Sequence, residues 1–149
     1  MEKKIQERYI DHGLGFSVII LHAPMVKMRG SWALHVNHND YQKLVLTLLA
    51  QKLSKLTGSQ IQFIRKYFQM TVRSFAERFA IRHSAVIKWE KTKDSSTKMS
   101  WTTEKDVRLF ILDELSKKAA DVHNLYKLLK NEARESSDLL KIDAGDMAA

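Results

Sequence analysis

The sequence has no cysteine. That excludes disulfides, thiolate zinc sites, iron–sulfur clusters and cysteine nucleophiles together, and it fits a reducing cytoplasm. It has one proline and five glycines, too few turn residues for an all-β protein built of many hairpins. Long apolar runs are missing too: Val18–Leu21 is bracketed by Ser17 and His22, and no stretch of the length a membrane-spanning helix needs is present. The opening MEKKIQER mixes charges and carries no apolar core, so no secretory signal is expected. Gly13-x-Gly15 is two glycines in a turn, not a phosphate-cradling loop. No Ser-His-Asp or paired-carboxylate spacing stands out, so no enzyme is expected. His12, His35 and His38, with Asp11 and Asp40 nearby, lack the spacing of a three-ligand site. They read as surface or turn residues, and no metal or cofactor is expected.

What the chain does have is positive charge in one place. The 149 residues carry a formal net charge of +8. Residues 52–98 hold eleven basic and three acidic groups, so this third accounts for the entire excess. The first 51 residues are nearly balanced and the last 51 slightly acidic. A concentrated basic stretch is what a polyanion-binding surface requires.

Periodicity divides the chain. Phe16–Leu21, Met25–Arg29 and Ser31–Val36 read as three short strands, with Pro24 breaking the first from the second. Residues 14–36 would form a small antiparallel sheet, marginal by itself. From Asn39 the period becomes helical. Asn39 with Gln42 reads as a capping box, and Tyr41, Leu44, Val45, Leu48 and Leu49 share one face. Thr57 with Gln60 opens a second helix lined by Ile61, Ile64 and Phe68. Thr71 opens a third, with Val72, Phe75, Ala76 and Phe79 inward. Val86 and Trp89 anchor a fourth. Residues 91–101 read as a mobile polar loop. Thr103 with Asp106 starts a fifth helix carrying Val107, Phe110, Ile111 and Leu115. Val122, Leu125 and Leu129 mark a sixth over 119–134, and the rest reads as a frayed tail.

The expected fold is therefore mainly α: a bundle of five to six helices with a small N-terminal antiparallel sheet. The expected segments are 1–38, a β-rich piece for dimerisation or partner contact; 39–116, the helical domain; and 117–149, a last helix and tail.

Residues 57–91 carry the functional pattern. Two short helices follow each other across a turn of three or four residues. The second has only Val86 and Trp89 to bury, so His83, Ser84, Ile87 and Lys88 must face away from the core. A helix presented this way fits the major groove of DNA. The matching residues are Thr57-Gly58, Ile61, Phe63-Ile64-Arg65, Met70-Thr71, Phe75-Ala76, Ile81, Val86 and Trp89-Glu90. On them, the segment resembles the helix-turn-helix of Xre/Cro-type repressors, and more closely that of MqsA-type antitoxins. The resemblance spans roughly residues 40–115. Four positions depart from the family pattern: Val72 replaces a glutamine, Ala80 a glycine, Arg82 a capping Ser or Thr, and Thr92 a glycine. The N-terminal third, without cysteine, does not match the zinc-binding domain of those antitoxins.

The resemblance implies a sequence-specific DNA-binding regulator, a dimeric repressor, and in its most specific form the antitoxin of a type II pair that masks a cognate toxin protein. It places His83, Ser84, Ile87 and Lys88 against base edges, which their chemistry allows. Phosphate contacts would fall to Arg65, Arg73, Arg82, Lys91, Lys93 and Lys98. The partners expected are double-stranded DNA, a second copy and a toxin, with no membrane. The subunit contact is expected from the strand Phe16–Leu21 or the helix 119–134. The rival reading is a protein-interaction adaptor whose helix-turn-helix no longer binds DNA.

Overall fold

The structure, a computed structural model, describes residues 2–115, 119–135 and 139–147. The chain is mainly α, with six helices and a four-stranded sheet among the described residues. It forms two compact units: residues 1–45 with 139–149, and residues 46–138. These replace the three consecutive segments read along the sequence, because the C-terminus returns to the sheet. The boundary expected at 116–117 lies outside the described residues.

In the first unit, β1 (Lys3–Asp11), β2 (Val18–Met28) and β3 (Ser31–Leu34) pair antiparallel, and β4 (Leu140–Asp143) pairs parallel with β2. β2 is the central strand. Val18, Ile20 and Ala23 have no exposed surface, and Ile19, Met25 and Val26 are buried with them. Such a strand, covered on both faces, is an apolar run rather than an alternation. The β2–β3 turn is Arg29-Gly30, both at positive φ (52° and 81°), the signature of a two-residue type I′ hairpin.

Several expectations are corrected here. Pro24 does not end a strand; it lies inside β2. β3 pairs with residues 25–28 of β2 and β4 with residues 18–21. Residues 22–24 lie in the gap between those partners, where a missing N–H breaks no ladder bond. His22 uses the same gap to adopt φ 53°, and its Nδ1 lies 2.9 Å from Asp143 Oδ2. β1 was not expected at all, since four of its nine residues are Lys, Arg or Glu and a fifth is Asp. The tail is not wholly frayed: β4 and a 3₁₀ turn, Ala144–Met147, follow. Of Phe16–Leu21, one of the two segments expected to supply a subunit contact, Val18–Leu21 lies in the central strand β2 and Phe16, before it, is buried.

α1 (His38–Gln51) starts two residues earlier than an Asn39 cap would allow. Asn37 Oδ1 accepts from the Asp40 N–H at 3.1 Å instead, the ordinary role of a capping Asn. Its buried stripe is Tyr41, Val45, Leu46, Leu49 and Ala50; Leu44 and Leu48 are only half-buried. The buried Tyr41 hydroxyl donates to Asp11 Oδ2 at 2.6 Å. Burial, with Asp11 beside it, raises the pKa of that hydroxyl.

The second unit holds α2 (Gly58–Tyr67), α3 (Val72–Arg78), α4 (His83–Glu90), α5 (Trp101–Leu115) and α6 (Ala119–Leu128). Ile61, Ile64, Phe75, Val86, Val107, Phe110 and Ile111 are buried as expected. Rings of α2, α3 and α5 meet edge-on: Phe75 with Phe79 at 4.8 Å, Phe79 with Phe110 at 5.4 Å, and Phe68 with Phe110 at 5.0 Å. α5 begins before Thr103, because Ser100 supplies the cap to the Thr103 N–H. Within α5, Glu104 and Arg108 form a fully buried pair at 2.7 Å. Arg108 also donates to the Ser54 carbonyl at 2.7 Å, so a buried charge holds the segment before α2 in place. α6 ends at Leu128, short of the expected 134.

Candidate nucleic-acid interface

The helix-turn-helix starts from a capping box. Thr57 Oγ1 accepts from the Gln60 N–H, and Gln60 Oε1 accepts from the Thr57 N–H at 3.0 Å. Gly58 is required by space. A Cβ there would lie 2.2 Å from the Trp89 carbonyl oxygen and 2.8 Å from the Lys93 backbone nitrogen. The start of α2 thus lies directly against the end of α4, closer than any side chain permits.

Both turns are built alike. Just after α2, Gln69 lies at φ 56°, and the Met70 and Gln69 N–H groups reach back to the Arg65 and Lys66 carbonyls. Just after α3, Ala80 lies at φ 55°, and the Ile81 and Ala80 N–H groups reach back to the Ala76 and Glu77 carbonyls. This is the paired bonding of a Schellman motif, whose left-handed residue is usually glycine. Ala80 adopts this glycine conformation at a steric cost of about 1–2 kcal/mol.

α4 is held from behind and open in front. Val86 has no exposed surface and Trp89 is 8% exposed. His83, Ser84, Ile87 and Lys88 are all exposed, Ile87 to 42%. Arg82 sits at the N-cap with no side-chain bond to the helix, as its lack of an acceptor requires. Val72, in the place of a family glutamine, is half-buried. Thr92, in the place of a family glycine, donates to the Trp89 carbonyl at 2.7 Å. Positive φ falls one residue later, at Lys93 (52°).

The six cations expected at phosphates do not form one set. Arg65 is removed from it: Nε and Nη2 grip Glu90 at 2.7 and 2.8 Å, and Nη1 donates to the Met70 carbonyl at 3.0 Å. The carboxylate raises the Arg65 pKa further. Arg65 therefore ties α2 to α4. Arg73, Arg82, Lys91, Lys93 and Lys98 are exposed. Glu77 and Asp94 are exposed acids in the same stretch.

The segment after α4, expected to be mobile, is anchored. Ser59 N–H donates to the Lys93 carbonyl at 3.0 Å, Gly58 N–H to Ser95 at 3.3 Å, and Thr97 N–H to Leu56 at 3.2 Å. Thr97 and Met99 are buried. Lys93 and Lys98 thus sit on fixed backbone. Its residues are almost all polar, so composition alone could not reveal this.

Elsewhere, His12 Nδ1 lies 2.9 Å from Ser17 Oγ, and among the described residues no three His, Asp or Glu side chains converge as metal ligands. Nor is any described helix long and apolar enough to cross a membrane. No protein-family model, curated protein or solved structure matches the chain.

Proposed function

We propose that this chain is a sequence-specific DNA-binding transcriptional regulator, a dimeric repressor that works in the cytoplasm, with α4 as its reading helix. The observation that carries this reading is the disposition of α4. Two buried residues fix it, four exposed ones of the right chemistry project from it, and Arg82 and Lys91 flank its two ends. Lys88 can donate to guanine O6 and N7, Ser84 and His83 can donate or accept, and Ile87 can meet a thymine methyl. Arg73, Arg82, Lys91, Lys93 and Lys98 supply the sequence-independent attraction to phosphates. The antitoxin version, with a toxin as protein partner, rests on the resemblance of residues 57–90 alone.

The test is binding of the purified chain to its own promoter fragment across a salt series. With about six phosphates neutralised per dimer, log K should fall against log salt with a slope near about −5. A flat response, or no binding at low salt, supports the adaptor instead.

A further inference from the structure

β1 is an edge strand with nothing on its outer side among the described residues: the sheet order places it last, beside β2 alone. In an antiparallel pair, successive residues turn their backbone groups alternately toward and away from the partner. Two observations fix which do which here. The Glu2 carbonyl accepts from Lys27 of β2 at 3.0 Å, so even residues face β2. Ile5 lies opposite Pro24, which has no N–H and whose carbonyl is taken by His35 on β2's other side. Lys3, Ile5, Glu7, Tyr9 and Asp11 therefore turn their N–H and C=O groups outward. Among its exposed residues, beside Lys3, Lys4, Glu7 and Arg8, are two large apolar ones, Ile5 at 73% and Ile10 at 36%.

Unpaired edges are templates for another strand, and proteins commonly guard them with charge. The charges of this one sort by end, with Lys3 and Lys4 at the start and Asp11 at the finish. Asp11 is held in place by Tyr41 and by the Gly13 N–H. Such an edge fits an antiparallel copy of itself.

We propose that two copies of this chain join through β1, antiparallel about a two-fold axis at Glu7, making one continuous sheet. Outward residues must bond to outward residues, so allowed registers differ by two. In the register centred on Glu7, Lys3 meets Asp11 twice, Ile5 meets Tyr9 twice, and all nine residues pair. Only Glu7 meets a like charge, its own copy. Shifting one way sets Lys4 opposite Arg8; shifting the other sets Arg8 opposite itself and Ile5 opposite Asp11. Both shifts lose the Lys3–Asp11 and Ile5–Tyr9 pairs. This deepens the dimer in the function proposed above, and it rests on that reading only for the dimer's purpose.

The absence of cysteine makes the test direct. It is done on the full chain without DNA, so a failure of DNA binding is read separately. In the proposed register two Glu7→Cys residues face each other at a Cα separation of about 5.5 Å, within disulfide reach. Two Lys3→Cys residues lie about 27 Å apart. Mild oxidation should give a covalent dimer with Glu7→Cys and none with Lys3→Cys. Glu7→Thr should tighten self-association by about two- to five-fold by sedimentation equilibrium, because it removes the one repulsive pair. Ile5→Pro removes only an outward N–H and should shift the chain to monomer; if it unfolds, the cysteine pair decides. A chain that sediments as a monomer at tens of micromolar overturns the proposal. So does a dimer in which Glu7→Cys fails to cross-link or Lys3→Cys cross-links equally well, which is the outcome if the edge takes a different protein.

Discussion

Arg65 and Glu90, twenty-five residues apart, form a two-point ion pair with side chains only 12% and 11% exposed. The pair joins the end of α2 to the end of α4, so α4 is fixed by a charge as well as by Val86 and Trp89.

Removing one partner leaves the other charge largely buried and unpaired. Glu90→Gln should lower unfolding stability by about 2–4 kcal/mol. Replacing both, with Arg65→Met and Glu90→Leu, should recover a large share of it. Urea denaturation of Arg65→Met, Glu90→Leu and the double variant checks this. A loss in the double variant equal to the sum of the two single losses would mean that the pair contributes no coupling.

Ala80 adopts φ 55°. Glycine there relieves about 1–2 kcal/mol of steric cost and adds about 0.5–1 kcal/mol of backbone entropy to the unfolded chain. Ala80→Gly should therefore stabilise the protein by roughly 0.5–1 kcal/mol, seen as a higher melting temperature. A lower one would show that the turn does not hold this conformation in solution.

Lys52 is pushed down from 10.5 to about 8, by burial first and by Arg108 second. Its Nζ donates to Gln60 Oε1 at 2.7 Å. With the folded pKa below the unfolded one, the unfolded chain binds more protons between about pH 8 and 10.5, so this group makes stability rise with pH there. The gain should be on the order of 1–2 kcal/mol, measured as the difference between wild type and Lys52→Met across pH 7–10. A difference that stays level with pH would contradict the assignment.

Lys88 and Lys93 should separate reading from anchoring. Lys88→Ala should cost about 1–3 kcal/mol on the cognate site and relax preference at one or two base pairs. Lys93→Ala should weaken binding to all sequences alike and make the salt slope shallower by about one. Competition binding against mutated sites distinguishes them. Discrimination lost with Lys93→Ala but kept with Lys88→Ala would move the reading element away from α4.

Much of the second unit was legible because its signals are local. The capping box at Thr57 and Gln60, the cap at Thr71 and the inward pair Val86 and Trp89 lie within a few residues of what they govern. Helical periodicity then fixes which side chains of α4 stay outside. The boundaries of α1 and α5 were less legible, since Asn37 and Ser100 compete with Asn39 and Thr103 as caps and only backbone geometry selects between them.

By itself, then, the sequence determined the mainly helical class, the outward residues of α4 and the concentration of positive charge in residues 52–98. Tertiary structure decided the rest, because it depends on partners far away along the chain. β1 is too polar to announce a strand and becomes one by pairing with β2. β4 becomes one by pairing with a strand more than a hundred residues earlier. Arg65, a surface cation by composition, is tied up by a carboxylate that only the fold brings within 2.7 Å. Hydrogen bonds and ion pairs act over a few ångströms of space, whatever the separation in sequence.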